Sequence, residues 1–195
     1  MDSIDKIKAY IDKNSSEHRR KHTYGVRDTA VALADIYGCD THKAEIAALL
    51  HDIYRGVPEE VLNYHVKHLG LDKRYLNNPN LAHGPIAAEM IRHDFNVDDE
   101  DIIAAVKFHT TATDQMTLLE KIIYIADAIE PGREYPGVEE LRQLAKINID
   151  EACLASINKT IEYVNSQGKF LDKETIKAKE YLEAAIKQKE KANDQ

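Results

Sequence analysis

Six side chains in this sequence have the chemistry of metal ligands: His22, His51, Asp52, His83, His109 and Asp127. His51 and Asp52 close the apolar run Ala47-Ala48-Leu49-Leu50, and Asp127 follows Ile122-Ile123-Tyr124-Ile125-Ala126. Burying an unpaired carboxylate costs several kcal/mol, on the order of the net stability of a whole small domain, so each acid needs a compensating partner. For an isolated His-Asp dipeptide the plain reading is a satisfied core histidine beside a local cap. The four further donors outweigh it and point to metal. Their wide spacing excludes a zinc finger, which uses short paired spacings and usually cysteine. It suits a helical bundle that turns side chains from several helices toward one interior point.

Nitrogen and oxygen ligands without thiolate suit iron, manganese, zinc, cobalt or nickel. Six are too many for one ion with open positions. They are about right for two ions sharing Asp52 as a bridging carboxylate, a pair that polarises a phosphoryl oxygen and activates water near neutral pH. No P-loop or G-x-G-x-x-G occurs, so phosphates would be held by metal and arginine rather than by a glycine cradle.

The elements that must position these groups read as helices throughout, an all-α bundle of about nine with no strand pattern or repeat. His22 leads the apolar stripe of a helix over residues 16–37. His18, four residues earlier, offers a rival two-histidine site, but it stands beside Arg19-Arg20-Lys21, which reads as a solvated basic face. His51 and Asp52 are about 100° apart on a helix, so both reach one ion only where the 44–51 helix ends, and residues 53–58 read as that ending. His83 is expected at a helix entry beside free backbone N–H groups, because Pro85 reads as a first-turn proline. His109 closes a helix over 101–109, and Pro131-Gly132 breaks the helix that carries Asp127. Arg55 and Arg133 follow the two acidic motifs and could grip phosphate oxygens in a planar fork. A loop cation is the alternative for Arg133, and the Pro-Gly before it favours the functional reading. Lys107 and Lys121 read as surface charges, and Cys39 and Cys153 as buried filler.

The chain of 195 residues is expected to form one domain, with its core at about 18–185 and a polar, frayed tail at 187–195. A net charge of −8 argues against a nucleic-acid polymer or an anionic membrane as partner. The start, MDSIDKIKAY, lacks the apolar core of a signal peptide, and no apolar run approaches the ~20 residues of a membrane span, so a cytoplasmic location is expected. Nothing in the sequence assigns an oligomeric state.

His22, His51-Asp52 and Asp127 resemble the H…HD…D pattern of the HD-domain metal-dependent phosphohydrolases, and His83 and His109 resemble the extra histidines of their two-metal members. HDIYR (51–55), His83-Gly84, Phe108-His109-Thr110 and KIIYIADAIEPGR (121–133) look closer still to the YqeK-type symmetrical bis(5′-nucleosyl)-tetraphosphatases. The likeness spans about residues 18–185. It implies an HD-type helical fold and hydrolysis of a dinucleoside polyphosphate, diadenosine tetraphosphate, to two ADP. It also implies iron or a related ion at His22, His51, Asp52 and Asp127, with a second ion or substrate phosphate near His83 and His109. Asp52, His83 and His109 would be catalytic, and Arg55 and Arg133, with the two histidines, would bind substrate. The rival readings are another HD phosphohydrolase, such as a nucleotidase or cyclic-nucleotide phosphodiesterase, and a non-catalytic metal- and nucleotide-binding regulator. The intact ligand set argues against the regulator.

Overall fold

The computed structural model describes residues 3–193. In chain order these form α1 (Ser3–Asn14), α2 (Glu17–Tyr37), α3 (Thr41–Leu50), α4 (Glu59–His68), a 3₁₀ turn (Lys73–Tyr75), α5 (Pro79–Phe95), α6 (Glu100–Phe108), α7 (Leu118–Ile129), α8 (Val138–Ile147), α9 (Ile149–Ser166) and α10 (Lys173–Asn193). The described residues thus give ten α-helices where about nine were expected, and no strand. None of these helices is long and apolar enough to cross a membrane.

α7 lies at the centre. A capping box starts it: the Thr117 hydroxyl accepts from the Glu120 N–H, and the Glu120 carboxylate accepts from the Thr117 N–H. Ile122, Ile123, Ile125 and Ala126 are fully buried, because α2, α3, α6, α8 and α9 all pack around this helix. α3 is alanine- and leucine-rich, and its buried set from Ala44 to Leu50 lets α2 and α6 approach closely. A smaller apolar cluster of Leu62, Val66, Tyr75, Ala82 and Ile86 joins α4, the 3₁₀ turn and α5. α10 is tied down by the buried Asp150, whose two oxygens meet Lys121 at 2.7 Å and Lys189 at 2.6 Å. Lys121 is therefore a half-covered structural cation rather than a surface charge. Cys153 is buried as expected, while Cys39 is only half-buried.

Helix ends decide where three of the six candidate ligands point. α3 stops at Leu50 with His51 as its C-cap, so His51 and Asp52 leave the helix together, as two groups bound for one region require. α6 ends in the same way, with His109 at its C-cap. The expectation for His83 is corrected. α5 begins at Pro79, with Pro at its first position, and continues through Pro85, so His83 lies inside the helix and not among free N–H groups. α10 is helical to Asn193, so the tail expected to fray from residue 187 falls on its last turns, and residues 194–195 lie outside the described residues.

Gly84 sets the separation of α5 and α6. A Cβ built there would stand 3.0 Å from the Lys107 carbonyl oxygen and 3.2 Å from both the Val106 oxygen and His109 Cε1. Two of these neighbours are backbone and cannot swing aside. Gly84→Ala gains about 1 kcal/mol in helix propensity, while overpacking costs typically 1–3 kcal/mol. The crowding should win and lower the melting temperature by a few degrees, since about 1 kcal/mol corresponds to roughly 2–4 °C in a chain of this size. Calorimetry checks this, and a melting temperature at or above the parent's would refute the packing argument.

Candidate metal centre

All six predicted ligands converge on one place. α2 brings His22, the end of α3 brings His51 and Asp52, α5 brings His83, the end of α6 brings His109, and the last turns of α7 bring Asp127. The two oxygens of Asp52 face different histidines. Its Oδ1 lies 3.1 Å from His83 Nε2 and 3.6 Å from His109 Nε2, and its Oδ2 lies 3.7 Å from His22 Nε2 and 3.9 Å from His51 Nε2. Asp127 Oδ1 is 3.2 Å from His22 Nε2.

Each imidazole is held through its other nitrogen. His51 Nδ1–H donates to the Ala48 carbonyl at 2.6 Å and His109 Nδ1–H to the Val106 carbonyl at 2.7 Å, each three residues back in its own helix. His83 Nδ1 stands 3.2 Å from the Pro79 carbonyl, and His22 Nδ1 3.2 Å from the carboxylate of the buried Glu130. An oxygen acceptor at Nδ1 fixes the tautomer and leaves Nε2 with a bare lone pair. Four such lone pairs point at two carboxylates. His83 Nε2 and His109 Nε2 are only 3.0 Å apart, and His51 Nε2 is buried with no hydrogen-bond partner. An unpartnered buried acceptor costs about 1–3 kcal/mol, and facing lone pairs need a proton or a cation between them. The donor set therefore fits a metal ion. His22, His51 and Asp127 form one group of donor atoms within 4.8 Å of one another, and His51, Asp52 and His109 a second.

With no ion present protons take its place, and where Nε2 is protonated it donates to a carboxylate. Burial pushes the Asp52 carboxyl up, but His51 and the hydrogen bonds from His109 and His83 overcome this and hold it well below the ordinary carboxylate range. Asp127 is likewise lowered, burial being outweighed by His22, His51 and Arg133. Burial lowers His51 to about 4 and also lowers His83. At His22 and His109 burial acts the same way, but hydrogen bonds to Asp127 and Asp52 respectively reverse it and raise both.

The cluster floors an open cavity of about 920 Å³ whose rim includes Arg19, Lys21, Arg55, Thr110 and Arg133. Arg55 Nη1 lies 3.4 Å from His83 Nδ1. With Nδ1 donating to Pro79, that approach joins two donors, and Arg55 makes no other side-chain hydrogen bond among the described residues. Arg133 points its fork at the site itself, donating from Nε to the Asp127 carbonyl at 2.8 Å and from Nη2 to its carboxylate at 2.5 Å. Arg142 braces this corner by donating to the carbonyls of Ile129, Glu130 and Arg133. His18 lines the same cavity but belongs to neither group of donor atoms. His65 and His68 pack against Tyr64 on α4 and belong to neither group of donor atoms.

Three contributors escaped the sequence reading. Glu130 orients His22 and also accepts from the Gly132 N–H at 2.6 Å. The Thr110 hydroxyl lies 3.1 Å from His109 Nε2. Arg19 is partly exposed, yet its guanidinium reaches within 4.0 Å of Asp52. The signal for two of them was helical spacing, since Arg19 is three residues before His22 and Glu130 three after Asp127, each on its ligand's own face.

A family model described as the HD domain matches residues 19–132. The symmetrical bis(5′-nucleosyl)-tetraphosphatase of Bacillus subtilis (strain 168) is 41% identical over 157 residues, covering 80% of this chain and 84% of that protein. The protein of the same name from Halalkalibacterium halodurans is 39% identical over 150 residues, covering 76% and 80%. A crystal structure of a protein from Clostridium acetobutylicum, described as a predicted HD superfamily hydrolase involved in NAD metabolism, superposes with a TM-score of 0.90 at 45% identity, covering 95% of this chain and 99% of that one.

The His51 environment predicts a pH effect. Burial keeps it neutral down to about 4 against the usual 6.5, so between those values the unfolded chain binds a proton that the folded chain does not. Stability of the metal-free protein, measured with chelator present, therefore falls as pH drops through that window. His51→Gln should flatten this part of the slope, and an unchanged slope would mean that His51 is not held neutral.

Proposed function

This chain belongs to the HD domain family, and we propose that it is a metal-dependent hydrolase that cleaves diadenosine tetraphosphate symmetrically into two ADP. The observation that carries the reading is Asp52, a carboxylate with two imidazoles facing each oxygen in the floor of an open cavity rimmed by arginines. Relatives near 40% identity over most of the chain supply the substrate.

His22, His51, Asp52 and Asp127 would hold the first ion; imidazole and carboxylate with no thiolate suit iron, manganese, cobalt, nickel or zinc alike, and iron is put first on the resemblance to the YqeK-type hydrolases. His83 and His109, facing the other oxygen of Asp52, would hold a second ion or meet substrate phosphate. When bound, the metal supplies Lewis acidity and brings the pKa of water toward neutrality. The residues of the chain do the rest. Asp52 and Asp127 stay ionised throughout the neutral range, so they hold position and charge and give up no proton. Glu130 keeps His22 in one tautomer, and the Ala48 and Val106 carbonyls do the same for His51 and His109. Arg55 and Arg133 bring positive charge to the tetraphosphate, whose anionic oxygens would otherwise repel the carboxylates. The Thr110 hydroxyl is placed to donate to a phosphate oxygen beside His109.

Cleavage adds the elements of water across the bond between the two inner phosphates: one inner phosphorus gains the water oxygen, and the other half leaves with the bridging oxygen. Incubating the protein with diadenosine tetraphosphate in ¹⁸O-labelled water should give ADP alone, with label in one of each two ADP molecules. ATP and AMP in equal amounts would overturn the symmetrical reading, and no cleavage by metal-loaded protein would overturn the assignment as a hydrolase of this substrate.

A further inference from the structure

A dinucleotide needs places for its bases as well as its phosphates, beginning from the main cavity above the cluster. Its named walls are almost all charged, hydroxylic or glycine: His18, Arg19, Lys21, Thr110, Gly132 and Arg133 among them. A second cavity of about 350 Å³ adjoins it, and Ser16, Arg19, Asp52 and Arg55 line both. This smaller space lies between α1, the start of α2 and the turn over residues 53–58. Ile11, Ile53, Val57 and Pro58 are among its lining residues, and so is Tyr10.

Tyr10 is 43% exposed, yet its ring is fixed against Phe95, with centroids 5.4 Å apart and planes at 88°. A fixed, exposed ring in a cavity wall is a stacking surface for a flat heterocycle. Asn14, on the same wall, donates its side-chain N–H to the Tyr10 carbonyl at 2.8 Å, which leaves its oxygen to accept from an amino group or ring N–H. Between the two cavities stands Arg19. It crosses the backbone of Gly56 so closely that a Cβ there would lie 2.6 Å from its Nη2, and the φ of +79° at Gly56 is one that favours glycine. Among the described residues the Arg19 guanidinium has only the 4.0 Å approach to Asp52, so its planar donors remain available to phosphate oxygens.

Resting on the symmetrical hydrolase reading, we infer that the smaller cavity seats the base of one nucleoside of the substrate, stacked on Tyr10, and that Arg19 grips the phosphates leading from it toward Asp52. The volume falls near the lower end for small-molecule pockets, which suits one nucleoside and not a whole dinucleotide.

The two parts of this inference are read by calorimetric titration of the metal-loaded protein with ADP and, separately, with inorganic pyrophosphate. Tyr10→Ala should weaken ADP roughly tenfold, toward the lower end of what one base–aromatic stack contributes, and leave pyrophosphate unchanged within about twofold. Tyr10→Phe keeps the ring and should keep the affinity. Arg19→Gln should weaken both ligands. Unchanged ADP affinity in Tyr10→Ala, or an equal loss for pyrophosphate, would overturn the base site; unchanged pyrophosphate affinity in Arg19→Gln would overturn the phosphate grip. Because titration reads binding alone, protein that fails to split diadenosine tetraphosphate while showing this pattern would sink the hydrolase reading and keep the subsite. Protein that splits it without the pattern would do the reverse.

Discussion

The structure depends on one arrangement: four imidazoles, each held at Nδ1 by an oxygen acceptor, with their Nε2 lone pairs turned toward Asp52 and Asp127. Three of the acceptors are backbone carbonyls and the fourth is Glu130. Packing acceptors and carboxylates together in a protein interior is unfavourable unless a cation or proton lies among them, so this region is costly for the fold on its own. The surrounding bundle over-determines it. α7 is buried on nearly every side, α3 is small enough to sit between α2 and α6, and Gly84 lets α5 approach α6 until His83 and His109 are 3.0 Å apart.

That rigidity separates two tasks. The buried ends of α3, α6 and α7 place candidate ligands on helix C-caps and last turns, where neighbouring residues can leave the helix in one direction. The exposed side, formed by the 53–58 turn and the start of α2, carries Arg19 and Arg55, which have few protein partners and are available to a ligand. Arg133 belongs to both. It holds Asp127 with two of its nitrogens, and its Nη1 makes no hydrogen bond among the described residues. A lysine there could not make this pair of contacts with one rigid fork.

Much of this was legible in the residues. Apolar periodicity gave the helices, Ser16 and Gly38 mark the ends of α2, and acids in apolar runs marked Asp52 and Asp127. What sequence could not supply was depth and direction. Pro85 reads as a helix entry because a proline removes a backbone donor, yet Pro79 starts the helix six residues earlier and α5 runs through Pro85, so His83 moved from a helix end to its interior. Arg19 sits in a run of like charges that looks solvated, and only its register with His22 shows which of the three side chains turns inward. Lys121 was read as a surface charge because its partner, Asp150, comes from another helix. Glu130 lay in plain view within IADAIEPGR, but its part is to steer His22, a contact made across the bundle.

If Asp52 binds the cluster into a metal site, removing its carboxylate should empty that site. The direct measurement is the transition-metal content of protein purified without oxygen and without an affinity tag, for the parent and for Asp52→Ala, with helical content followed in parallel. The parent should carry at least one ion per chain. The variant should lose most of it while its circular dichroism stays the same, because all four histidines remain but the carboxylate between them is gone. A variant that keeps the parent's metal content would contradict the account.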